Sequence, residues 1–137
     1  MAPSVVATIV ETAMNTPRSA THGSVTECTY QARSGSQLAV LIRFDTNSSE
    51  KAFASDRSIF ESHGQKLGQV TGFGDEAYYF SETAGKSTVN TIVVRQGRLQ
   101  ILVTGSAALD QTAAIAHQTL TEYEAAHPSV IPTTPTT

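Results

Sequence analysis

Two stretches of the chain alternate apolar and polar residues with a period of two, as strands do when one face meets a core. The first runs from Gln37 to Asp45, with Leu38, Val40, Ile42 and Phe44 on one side. The second is a pair, Thr88 to Arg95 and Arg98 to Gly105, carrying Ile92, Val94, Leu99, Ile101 and Val103. Glu27 to Arg33 reads as a strand that enters the first stretch through the turn Ser34-Gly35-Ser36. Parity decides how these two strands pair. An odd loop sets Leu38 against Ala32, Val40 against Tyr30 and Ile42 against Cys28, whereas a two-residue loop would set Val40 against Thr29. A one-residue slip exchanges the two faces of a strand, so the odd loop is expected. It turns Cys28 inward as a buried, inert thiol and puts Glu27 opposite Arg43 on the outer face.

In the later hairpin, Gln96-Gly97 serves as a two-residue turn. Val94 then meets Leu99, Ile92 meets Ile101, and Arg95 lies opposite Arg98 on the outer face. Ala77-Tyr78-Tyr79-Phe80 adds a short aromatic strand after the loop Gly72 to Asp75. The segment from Asn15 to Thr26, broken by Pro17 and Gly23, reads as a polar loop.

Helical spacing appears three times. Ser4 caps a helix over 5–14 with Val5, Ile9 and Ala13 on one face. Asn47 caps a second, with Glu50 three residues on and an inner stripe of Ala52, Phe53, Asp56, Ile59, Phe60 and His63, ended by Gly64. Ser106 caps a third that runs to Pro128 on the stripe Leu109, Thr112, Ala113, Ala116, Leu120 and Tyr123. The order α-β-β-α-β-β-β-α predicts an α+β domain with a single antiparallel sheet of about five strands and three helices mainly on one face. Residues 27–64 and 88–127 both read as a hairpin followed by a helix, a repeat of architecture only. One domain over 1–128 is expected, followed by a Pro/Thr-rich flexible tail over 129–137.

Composition narrows the function classes. Charged residues make up 15% of 137, against about 25% on average, and 14 Ser and 19 Thr fill the gap. A net charge of −3 argues against a partner held by phosphate neutralisation, so no nucleic acid is expected. No apolar run reaches the roughly 18 residues a membrane helix needs, so no transmembrane segment is expected. The single Cys allows neither an intrachain disulfide nor a Cys-based zinc cage, and His22, His63, His117 and His127 show no ligand spacing, so no metal is expected.

Motifs that suggest chemistry fail on spacing. Gly85-Lys86-Ser87 matches the end of a phosphate-binding loop, but position 80 is Phe where the motif needs Gly, and a strand follows where it needs a helix. Gly72 and Gly74 alone are too short for a dinucleotide fingerprint. Asp56 stands out on its apolar stripe, either in a relay with His63 or at the stripe margin bonded to a neighbour. No catalytic residue and no cofactor emerges. The outer face of the sheet remains, where Arg43, Arg95 and Arg98 lie among Leu41, Val93 and Leu102. Facing arginines repel, and a carboxylate-bearing partner over this mixed surface would pair them and bury the three apolar side chains. These six residues form the expected interaction surface.

The succession of Cys28-Thr29-Tyr30, Gly72-Phe73-Gly74-Asp75-Glu76-Ala77-Tyr78, a Val-rich hairpin and an Ala-rich C-terminal helix resembles small secreted or lipid-anchored, lipoprotein-like and sensor-like domains of Gram-positive bacteria. The resemblance spans residues 5–126. In that group a strand Cys placed like Cys28 often pairs with an earlier Cys near the first helix, and this chain departs from the group by having Cys28 alone. The resemblance implies export to the cell surface or the exterior, and a non-enzymatic role. The expected function is an exported, non-catalytic binding or sensor module for an unknown protein or small molecule. Two alternatives stand beside it: an interaction protein that homodimerises through the outer sheet face, and a carrier of a small apolar ligand.

Overall fold

Two antiparallel meanders join edge to edge in one seven-stranded sheet, ordered β1-β2-β3-β7-β6-β5-β4. In chain order the elements are α1 (Pro3–Val10), β1 (Arg18–His22), β2 (Val25–Gln31), β3 (Ala39–Asp45), α2 (Glu50–Ser62), β4 (Gly68–Val70), β5 (Glu76–Ala84), β6 (Ser87–Gln96), β7 (Leu99–Gly105) and α3 (Leu109–Ala126). The structure, a computed structural model, describes residues 3–33, 38–70, 72–84 and 87–126. The expected turn Ser34-Gly35-Ser36, the loop residues Gly85 and Lys86, His127 and the 129–137 tail lie outside the described residues.

The expected class holds: α+β, one antiparallel sheet, three helices. The sheet has seven strands rather than about five, because β1 falls in the segment expected to be a polar loop and β4 lies between Gly64 and Gly72, where no element is expected. Both are edge strands, and neither carries an alternating apolar pattern. All five residues of β1 are exposed, so no burial drives its composition. It is held by backbone pairing to β2, from Arg18 with Thr29 to His22 with Val25. Upstream, Met14 bridges Ala32, so Asn15, Thr16 and Pro17 oppose only Tyr30 and Gln31. That extra residue is a bulge, and Pro17 within it withholds an N–H, both of which blunt an open edge against further strand addition.

The odd-loop register between β2 and β3 is present: Tyr30 pairs with Val40, Cys28 with Ile42 and Glu27 with Arg43. Cys28 itself is half-buried rather than buried; on β1 it faces the small, exposed Ser19, whose Oγ lies 3.7 Å from the sulfur. The β6–β7 register differs from expectation by two residues. Gln96 pairs with Leu99, Arg95 with Gln100, Val94 with Ile101 and Ile92 with Val103. Gly97 and Arg98 are the turn residues. Gly97 takes φ +60° and Arg98 does not go positive, the type II′ pattern with Gly in the first central place. A shift of two keeps every side chain on its face, so the core is as expected while the facing pair Arg95–Arg98 does not exist.

On the front face, α1 and α3 cover Tyr30, Val40, Ile42, Ile92, Val94, Ile101 and Val103. Helix α3 brings Ile115, Ala116 and Leu120, and the segment from α1 brings Val6, Val10 and Met14. Buried Thr112 and Thr119 return their hydroxyl protons to the carbonyls of Ala108 and Ile115, four residues back. The helices are not gathered on one face, however. Helix α2 crosses to the back and lays Phe53 and Phe60 on Tyr78, Phe80 and Val93. It is capped by Ser49, whose Oγ accepts from the Ala52 N–H, rather than by Asn47. Phe53 and Tyr78 meet edge to face at 5.2 Å between ring centres.

This second core is small, so each member counts. Phe53→Ala is expected to cost about 3–5 kcal/mol, as for a fully buried aromatic. Urea denaturation monitored by circular dichroism checks this, and a cost near zero would mean that α2 does not pack where it is placed.

Candidate functional site

The six outer-face residues do not form one surface. Val93 is 0% exposed, sealed beneath Phe53 and Tyr78, so it belongs to the second core. Arg95 is clamped. Its Nε donates to Glu76 Oε2 at 2.8 Å, and its Nη1 lies 3.4 Å from Asp75 Oδ2 and donates to the Gly97 carbonyl at 3.1 Å. Asp75 Oδ2 also accepts the Gly97 N–H at 2.8 Å, and the Asp75 N–H donates to the Arg95 carbonyl. Arg98 sits in the turn, donating from Nη2 to Asn47 Oδ1 at 2.6 Å while its carbonyl accepts from Ser48 N–H. Both arginines therefore have internal partners. Arg98 is exposed but sits in the turn, so the exposed Arg43 and the half-buried Leu41 and Leu102 are what remain together on the sheet face.

The same clamp accounts for the segment Gly72 to Tyr78. Gly74 has φ +61°, and a Cβ there would stand 2.7 Å from the Arg95 carbonyl oxygen. Asp75 and Glu76 hold Arg95, Ala77 turns into the front core, and Tyr78 turns into the back one. Phe73 packs edge-on to His117 of α3, with ring centres 5.5 Å apart. From Phe73 to Tyr78, each residue thus has a structural role. At the other end of β6, Ser87 enters a strand and pairs with Ala84, so no helix N-terminus follows Gly85-Lys86 to receive a phosphate.

What opens to solvent on the back face is a groove between α2 and the β3–β7 pair. Its floor carries Arg43, Gln100 and Leu102, and its wall carries Asp56, Ile59 and Phe60. Two hollows within it measure about 250 and 100 Å³. Gln100 anchors the polar end. It is 8% exposed, accepts from Ser48 Oγ at 3.0 Å and donates from Nε2 to Asp56 Oδ2 at 3.1 Å. Of the two readings of Asp56, the bond to a neighbour is the one found, and His63 is instead the exposed C-cap of α2. The Arg43 side chain makes neither a hydrogen bond nor an ion pair among the described residues. Ile59, at 49%, is the one large apolar side chain left exposed among the described residues.

Beneath the groove wall, the Tyr78 hydroxyl is buried and has no hydrogen-bond partner among the described residues. Burial pushes its phenol well above the ordinary value, and the charge of Asp56 pushes the same way, while Arg57, 5.8 Å over the ring, opposes. Tyr30, in the front core, is pushed up to about 12, chiefly by burial and further by Cys28 and Glu122. Among the described residues no three His, Cys, Asp or Glu gather as a metal cage, and no helix is long and apolar enough to cross a membrane.

Pattern reading of the sequence missed Gln100, Ile59 and Ser48 as surface formers. The signal for Gln100 was present, as a lone amide in an apolar strand. Comparison with protein-family models, curated proteins and solved structures returned no match.

Three outcomes are expected. Gly74→Ala should destabilise by more than about 1 kcal/mol, through positive φ and the clash at the Arg95 carbonyl; an unchanged urea midpoint would contradict the clamp. Tyr78→Phe should raise stability by about 1 kcal/mol, since it removes a hydroxyl whose desolvation is uncompensated. Both tyrosines keep their protons longer in the folded chain than in the unfolded one. Their stabilising contribution is whole below the ordinary value of 10.0 and, for Tyr30, is lost as pH climbs through about 12. The urea midpoint should therefore fall across that interval, and fall less steeply in Tyr30→Phe.

Proposed function

We propose that this domain is an exported, non-catalytic binding module whose ligand engages the groove beside α2. One observation carries the reading: the exposed Arg43 guanidinium stands unpaired among the described residues, on a floor that continues into apolar Leu102 beside the Ile59 wall. Binding sites combine a few placed polar groups with an apolar lining. Here Gln100, held between Ser48 and Asp56, keeps the polar end rigid. Export rests on the Ser/Thr-rich, charge-poor composition and on the resemblance to secreted and lipid-anchored domains.

The homodimer alternative is reduced to what α2 leaves open on the back face: β1, β2 and β3, and a hollow of about 220 Å³ among Glu82, Val89, Leu102 and Thr104. The apolar-carrier alternative has one feature in its favour, a hollow of about 160 Å³ on the front face among Phe44, Leu99, Ile101 and Tyr123. Thr119 and Glu122 complete its lining, and it opens to solvent.

A thermal-shift screen of a metabolite library, run in parallel on the native chain and on Arg43→Ala, tests the groove. A ligand at about 100 times its Kd adds roughly 2.7 kcal/mol. Hits should shift the native midpoint by several degrees and leave the variant unmoved. Hits that shift both equally, or a screen without hits, would overturn the groove as the binding site. Recovery of the protein from the medium or cell surface of the organism that makes it checks export.

A further inference from the structure

Two opposite charges face the same groove without neutralising each other. Arg43 rises from the floor on β3, and Asp56 stands on the α2 wall. They form no ion pair, and Arg43 has no other partner among the described residues. Asp56 uses Oδ2 to accept from Gln100, which leaves Oδ1 free for a ligand. The remaining charge at this end is Asp45, whose Oδ1 already accepts from Ser24 Oγ at 2.7 Å and from the Asn47 N–H at 2.9 Å. Glu27 lies across from Arg43 on β2, without an ion pair. Beyond the charges, Leu102, Ile59 and Phe60 form an apolar end.

We propose that the groove takes a zwitterion of amino-acid size with an apolar side chain. The inference rests on the groove being the binding site. The ligand carboxylate lies on the Arg43 guanidinium, its ammonium on Asp56 Oδ1, and its side chain against Leu102, Ile59 and Phe60. A bare anion is repelled by Asp56 and Asp45, and a bare cation leaves Arg43 unpaired and beside it. A zwitterion satisfies both charges at once, and the planar guanidinium suits a carboxylate in two-point contact. Size points the same way. The hollows, about 250 and 100 Å³, adjoin through Arg43, Asp56, Gln100 and Leu102, so a ligand of amino-acid size reaches both the charged and the apolar end.

Calorimetry and 15N–1H NMR titration with three probes provide the test: L-leucine, N-acetyl-L-leucine, which lacks the cation, and L-leucinamide, which lacks the anion. L-leucine should shift the amides of Arg43, Asp56, Ile59 and Leu102 saturably. Each single-charge probe should bind at least about tenfold more weakly, the cost of one charge-assisted contact. In Asp56→Asn, L-leucine and N-acetyl-L-leucine should bind alike; in Arg43→Gln, L-leucine and L-leucinamide should. Arg43 is exposed, so its variant keeps the fold whatever Asp56→Asn does. If a single-charge probe saturates the groove as tightly as L-leucine, the zwitterion inference falls while the groove stands as a binding site. If no probe moves the groove amides, the inference falls, and the library screen decides the groove separately.

Discussion

The β5–β7 half of the sheet is apolar on both faces, and this constraint shapes everything around it. Tyr78, Phe80 and Val93 point to the back as Tyr79, Ile92 and Val94 point to the front. Each buried side chain of this size is worth roughly 1.5–3 kcal/mol, so neither face can be left to water. Two helices cover the front, and α2 has to cross to the back. In the other half the core residues of β2 and β3 lie on the front, β1 is exposed throughout, and α2 stops short of the back of this half. The groove is the margin between the covered and uncovered parts of the back face, and Arg43, Gln100 and Leu102 are where they are because that margin runs along β3 and β7.

The two halves are locked by different means. β3 and β7 pair from Val40–Gly105 to Asp45–Gln100, and at one end the backbones approach so closely that a Cβ on Gly105 would meet the Ala39 carbonyl oxygen at 2.3 Å. At the far end of β6, Asp75 and Glu76 close on Arg95 and on the turn that follows it. An arginine 13% exposed, with two carboxylates and a carbonyl around it, is a fixed part of the scaffold and not a free hand for a partner. That distinction separates three similar residues: the Arg43 side chain stays unpaired among the described residues, while Arg95 and Arg98 are held by partners within the chain. The polar lock also frees β7 to carry Gln100, whose bonds to Ser48 and Asp56 tie the start of α2 to the sheet. The groove wall is thereby positioned by the same side chain that forms part of its floor.

Local pattern was enough wherever burial and period act together. Val40, Ile42, Ile92, Val94, Ile101 and Val103 announce their face by alternation, and Leu109 to Tyr123 announce a helix, because each pattern has one way to bury itself. Parity also determined the β2–β3 register, since a slip by one residue inverts a strand. What stayed hidden had no burial to report it. β1 is a strand through backbone hydrogen bonds alone, with Arg18-Ser19-Ala20-Thr21-His22 all exposed. The β6–β7 register was open to a slip of two, which leaves every face unchanged; the preference of Gly97 for the first place in a II′ turn is what resolves it.

The sequence by itself thus determined the class of fold, the front core, the β2–β3 register and the absence of a helix after Gly85-Lys86-Ser87. Tertiary structure alone decided that α2 lies on the back face, that Val93 is sealed under it, and that Arg95 and Arg98 are tied within the chain. It also brought Arg43 of β3, Gln100 of β7 and Asp56 of α2 to one groove across 57 residues or fewer of intervening chain. The reason is physical. Periodicity tells which side of a strand or helix seeks cover, but which element supplies the cover depends on long-range packing, and the partner of a charged side chain depends on what that packing brings near it.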